Sequence, residues 1–144
     1  MIRDALHTAA RDGWSEMVWS DSNFEDWPLR EKSVADSLNA WARGGRRLVM
    51  LATTYASVQR HQARFVDWRI RWGHIVECRV ARPLGGKELP SALWGPPWFM
   101  RRLDLLRSGG VSSFEAQRRV MLREEMEEWI RQSAPGFPAT VLGL

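Results

Sequence analysis

Three short groups of polar residues stand where chemistry is possible. Asp21 follows the apolar stretch Met17-Val18-Trp19, Thr53 and Tyr55 follow the run Leu48 to Ala52, and Arg60, His61 and Arg64 come soon after. If each apolar stretch is a strand, these groups lie beyond the carboxyl ends, where open α/β sheets bind ligands. Asp21, Thr53, Tyr55, Arg60, His61 and Arg64 would then share one crevice. Hydroxyls, positive helix ends and arginines in that place suit an anion such as phosphate, and His61 with Asp21 would be the pair for slow phosphoester chemistry. Each group also has a plainer reading. Asp21, Ser22 and Asn23 are turn formers, and His61 falls on one helical stripe with Phe65 and Trp68, as a histidine at the edge of a core would.

Other chemistry finds no footing. The chain has no G-x-G-x-x-G, P-loop, G-x-S-x-G or H-E-x-x-H pattern. Cys78 sits among Val76 and Val80, the wrong surroundings for a reactive thiolate. His7, His61 and His74 form no ligand spacing, so no metal, cofactor or catalytic residue is expected. The leading expectation is therefore a non-catalytic binding module that self-associates, with surplus tryptophan and the apolar tail Phe137 to Leu144 as anchors. A second copy or another protein heads the expected partners, and a small anion or nucleotide follows. Nucleic acid is not expected, because the net charge of +4 comes from arginines dispersed among Asp and Glu. The remaining alternative, nucleic-acid binding, would rest on Arg60, Arg64 and Arg71, which recur with helical spacing beside Asp67.

Those candidates need elements to hold them. The pattern predicts a helical lead-in over 5–11 and a strand over 15–20. A helix opening near Pro28 follows, with Val34, Leu38 and Trp41 on its buried face. Arg47 to Ala52 reads as a parallel strand covered on both faces. One helix over 56–72, buried through His61, Phe65, Trp68 and Trp72, leads to a strand over 74–80. Strands alternating with helices imply an α/β fold: a mainly parallel three- to four-stranded sheet with helices on both faces and a long C-terminal helix. The expected organisation is a single domain over 1–144. Its core spans 15–82, a loop-rich insert rich in Pro and Gly spans 83–111 with at most one edge strand near 98–103, and a helix and apolar tail span 112–144. Ser112 with Glu115 predicts the capping box of that last helix.

Four stretches, Asp26-Trp27-Pro28-Leu29, Arg46 to Ala52, Arg64 to Arg79 and Phe137 to Leu144, resemble an uncharacterised family of small proteobacterial proteins. Residues 15–82 resemble in layout a non-catalytic part of a phospholipase D-like domain. That superfamily acts through His-x-Lys, and neither Lys32 nor Lys87 follows a histidine at that spacing. The resemblance thus implies a fold without the chemistry. A charged N-terminus, a lone cysteine and apolar runs far short of a membrane span lead to the expectation of a cytoplasmic protein with no membrane partner.

Overall fold

A computed structural model describes residues 1–104 and 109–138. Helix α1 (Ile2–Asp12) buries Ile2, Ala5, Leu6 and Ala9, a spacing of three and four that lines one face, and stops at Gly13, whose φ of 66° suits glycine. Strand β1 (Glu16–Ser20) follows. Helix α2 (Lys32–Trp41) buries Val34, Leu38 and Trp41. It begins a turn later than Pro28, which sits in a tight bend where Leu29 N–H donates to the Trp27 carbonyl at 2.8 Å. Strand β2 (Arg47–Ala52), helices α3 (Ala56–His61) and α4 (Ala63–Arg71) and strand β3 (Val76–Val80) complete the first half.

The second half departs from expectation. Residues of the supposed insert form β4 (Ser91–Trp94), β5 (Phe99–Asp104) and part of β6 (Gly109–Ser113), before α5 (Ala116–Arg131) and the short β7 (Ala134–Pro135). All seven strands join one sheet in the order β6-β5-β4-β1-β2-β3-β7. Only β1–β2 and β2–β3 pair in parallel; the other four pairings are antiparallel. A mainly parallel sheet of three or four strands is therefore not what this sequence builds. Gly95-Pro96-Pro97-Trp98, which reads as loop, is a hairpin turn closed by Gly95 N–H to the Trp98 carbonyl at 2.8 Å. Glycine is required there, since a Cβ on Gly95 would stand 2.4 Å from Trp14 Cε3. The capping box fails likewise. Ser112 belongs to β6, and α5 starts after Glu115, whose N–H donates to Ser113 Oγ at 2.8 Å.

Alternation sorts the strands onto two faces. Met17, Trp19, Leu48, Met50, Cys78, Leu93 and Met100 pack with the buried residues of α1 to α4. Val18, Val49, Ala92 and Phe99 pack on the other side with Leu122 and Met126 of α5. Helix α5 is held further by Arg101, which pairs with Glu125 through two bonds of 2.7 and 2.9 Å, and by Arg123 lying 4.5 Å over the Trp94 ring. Six of the nine tryptophans, Trp14, Trp19, Trp27, Trp41, Trp68 and Trp129, are buried. Trp72, Trp94 and Trp98 are half-buried. The surplus tryptophan thus fills the interior and supplies no exposed anchors. Of the apolar tail only Phe137 and Pro138 are described, and Phe137 is buried. Residues 139–144 lie outside the described residues. Among those described, no helix is long and apolar enough to cross a membrane.

Candidate functional site

The six predicted site residues do not converge. Asp21 does lie at the carboxyl end of β1, but it is 3% exposed and fully engaged within the fold. Its Oδ2 accepts the backbone N–H groups of Asn23 (3.1 Å) and Phe24 (2.7 Å), and its Oδ1 accepts the Ser91 hydroxyl at 2.6 Å. The Arg102 guanidinium stands 3.4 Å from the same oxygen. A short polar residue just past a strand was the right signal for an Asx turn. What the sequence did not reveal was β4, whose Ser91 takes the other oxygen.

Tyr55 also turns inward. Its hydroxyl donates to the Arg79 carbonyl at 2.8 Å, and its ring packs 5.2 Å from that of Phe137. Burial pushes the phenol well above its ordinary range. Cys78 follows the same rule: burial drives its thiol up to about 11, while the neighbouring Arg69 guanidinium pulls the other way. Neither group is poised as a nucleophile near neutral pH. Thr53 remains exposed at the end of β2, with its N–H given to the Ser22 carbonyl at 2.9 Å.

Arg60, His61 and Arg64 occupy the outer side of the helical layer, all exposed. The single helix expected over 56–72 is broken at Gln62, whose φ of −128° and ψ of 58° end α3 and start α4. Gln62, 3% exposed, turns into the core and donates through Nε2 to the Phe24 carbonyl at 2.8 Å. Val58, Gln62, Phe65 and Arg69 take the inward places at spacings of four, three and four, and His61 lies outside that stripe. His61 instead lines a hollow of about 400 Å³ with Glu25, Asp26, Arg30 and Ser57. Asp21 faces β4 and β5, so the two residues of the supposed phosphoester pair belong to separate places.

What does come together is positive charge. Arg64 donates through Nη1 to the Arg30 carbonyl at 2.8 Å, which sets these two residues side by side. Arg30, Arg60, Arg64 and Arg71 are all exposed, as is Arg43 just beyond the end of α2, the helix that packs on α4. Among the described residues none of the five forms an ion pair within 4.0 Å, and Asp67 pairs with neither Arg64 nor Arg71. Of the neighbouring acids, Glu31 is engaged by Arg3 at 2.5 Å and Asp36 by Lys32 at 3.0 Å, while Asp67 is exposed. Spacing alone found Arg60, Arg64 and Arg71. Arg30 escaped it because it meets α4 from another segment, and Arg43 because it lies beyond the end of α2. Among the described residues no group of three or more His, Cys, Asp or Glu side chains could hold a metal ion.

No family model matches the chain, and no curated protein does. Among solved structures, the fold is similar to that of TrmBL2, described as an archaeal chromatin protein whose structure shows a novel mode of DNA binding. The TM-score is 0.63 at 13% identity, over 94% of this chain and 51% of that one. The chain thus spans about half the length of that protein. The likeness is one of fold. A protein of this fold is described as binding DNA, and on that finding the expectation that nucleic acid is an unlikely partner does not stand.

Proposed function

We propose that this chain is a nucleic-acid-binding module that contacts the phosphate backbone through the outer side of α3 and α4. The observation that carries the reading is the group Arg30, Arg60, Arg64, Arg71 and Arg43, exposed and without carboxylate partners among the described residues. Helix α4, nine residues and about 13 Å long, is short against a duplex bearing one charge per ~1.7 Å, so its arginines face several phosphates at once. The guanidinium fork matches phosphate oxygens in geometry as well as charge. The fold it shares with a DNA-binding chromatin protein supports the same reading, and the cytoplasm is the compartment that suits both such a partner and the unpaired Cys78. Binding through phosphates alone carries little sequence preference.

The test is fluorescence anisotropy with a labelled duplex across a range of salt. Engaging three phosphates gives a slope of log K on log salt of about −3, and removing Arg60 and Arg64 together lowers its magnitude by about 2. Binding that ignores salt, or that survives in the double alanine variant with an unchanged slope, refutes this surface.

A further inference from the structure

A hollow of about 750 Å³ opens at the β3 edge of the sheet, between β3 and the segment after β7. Arg69 forms part of its wall. This arginine is 6% exposed, yet among the described residues it has no carboxylate partner, and its Nε and Nη1 make no hydrogen bond. Nη2 donates to the Phe137 carbonyl at 3.1 Å, the guanidinium lies 5.8 Å from the centre of the Phe137 ring, and the buried Cys78 thiol is its other polar neighbour. A buried cation without a counter-charge is costly, and in folded proteins it is ordinarily paired.

The rest of the lining sharpens the point. Arg46, Arg47 and His74 also border the hollow, against a single carboxylate among the described residues, Glu77. Glu77 is already shared between Arg47 at 3.0 Å and Arg79 at 3.2 Å, and Arg46 donates to the carbonyls of Trp41 and Gly44. Positive charge therefore exceeds negative around a cavity large enough for a small molecule.

We propose that this hollow is a binding site for a small oxyanion, a phosphate or carboxylate group held on the unused N–H groups of Arg69 with Arg47 and His74 at its mouth. The segment Pro135 to Pro138 borders the entrance, and Gly136 N–H to the Cys78 carbonyl at 3.0 Å together with the Arg69 bond to Phe137 fastens it there. A small outward shift of that segment exposes Nε and Nη1, and the incoming oxygens supply the acceptors these two atoms lack, while Nη2 keeps or exchanges its bond to the Phe137 carbonyl. The site shares no residue with the arginine surface of α3 and α4 and stands or falls independently of it.

Thermal melts and calorimetry of the full chain with inorganic phosphate, with acetate, and with potassium chloride at matched ionic strength test the site. Phosphate is expected to raise the melting temperature beyond chloride if the ligand is a phosphate, acetate if it is a carboxylate. Arg69→Met should abolish the response and Arg69→Lys retain part of it. Should Arg69→Met not fold, the wild-type thiol decides: Cys78 lines the same hollow, so the effective anion should slow its modification by a small alkylating reagent roughly tenfold at ten times its Kd. Melts that follow chloride alone, an undiminished response in a folded Arg69→Met, or an unprotected Cys78 would overturn the proposal.

Discussion

Replacing Asp21 by alanine separates a structural carboxylate from a ligand-binding one. The substitution strands the Phe24 N–H and the Ser91 hydroxyl in the interior, and the Asn23 N–H at its edge. A buried donor left without an acceptor costs about 1–3 kcal/mol, so two of them and a half-buried third sum to roughly 4 kcal/mol. That is a large part of the 5–15 kcal/mol that typically holds a domain together. Asn at the same position keeps one acceptor oxygen for the two amides and presents its NH₂ to Ser91 and Arg102, for an expected loss of about half as much. Urea unfolding followed by tryptophan fluorescence measures both, since Trp19 and Trp27 pack 5.5 Å apart beside Phe24 at the end of this turn. If Asp21→Ala shifts stability by less than about 1 kcal/mol, the carboxylate is not structural and the account of this turn is wrong.

Alkaline pH should weaken the fold. Cys78 holds its proton up to about 11 when folded, against an ordinary 9.0, so the unfolded thiol ionises first and stability falls as pH rises from 9 towards 11, by about 3 kcal/mol in all. Tyr55, raised further, extends the loss above pH 10, and denaturant midpoints of the wild type, Cys78→Ala and Tyr55→Phe between pH 8 and pH 11 should show each substitution flattening its own part of the decline. Gly95→Ala drives a methyl group into Trp14 and should cost about 1–3 kcal/mol in the same unfolding assay. Gln62→Ala removes one of the two donors to the Phe24 carbonyl, which keeps the Trp27 N–H at 3.1 Å, and a drop in melting temperature equivalent to about 1 kcal/mol is expected.

The sequence was most legible where the chain is locally periodic. Strands β1, β2 and β3 lie close to where their apolar runs placed them, because each is a short stretch whose burial shows in its own residues. The antiparallel half was not legible. Ser91-Ala92-Leu93-Trp94 is only four residues long and is followed by Gly95-Pro96-Pro97, so turn chemistry masked a strand whose pairing with β1 depends on residues more than 70 positions earlier. Helix α3–α4 failed for a related reason, since no helix-breaking residue type marks Gln62 and only its long-range bond to Phe24 explains the interruption. The candidate site inherited both errors. Asp21 looked free because Ser91 was unplaced, and Arg69 was passed over because it adjoins the apolar stripe of Phe65 and Trp68 instead of lying on the charged one.

Strands β6 and β7 sit at opposite edges of the sheet, yet only α5 and its short connections separate them in the chain. Seven strands at about 4.8 Å spacing measure about 29 Å from edge to edge, and a helix of 16 residues measures about 24 Å. The helix is therefore cut close to the width it crosses, and it works as a tie-rod: one end is fixed to the hairpin β5–β6, the other to the open side of β3. Shortening it by a single turn would leave about 19 Å of helix, so the short connections at its two ends would have to straighten to hold both margins.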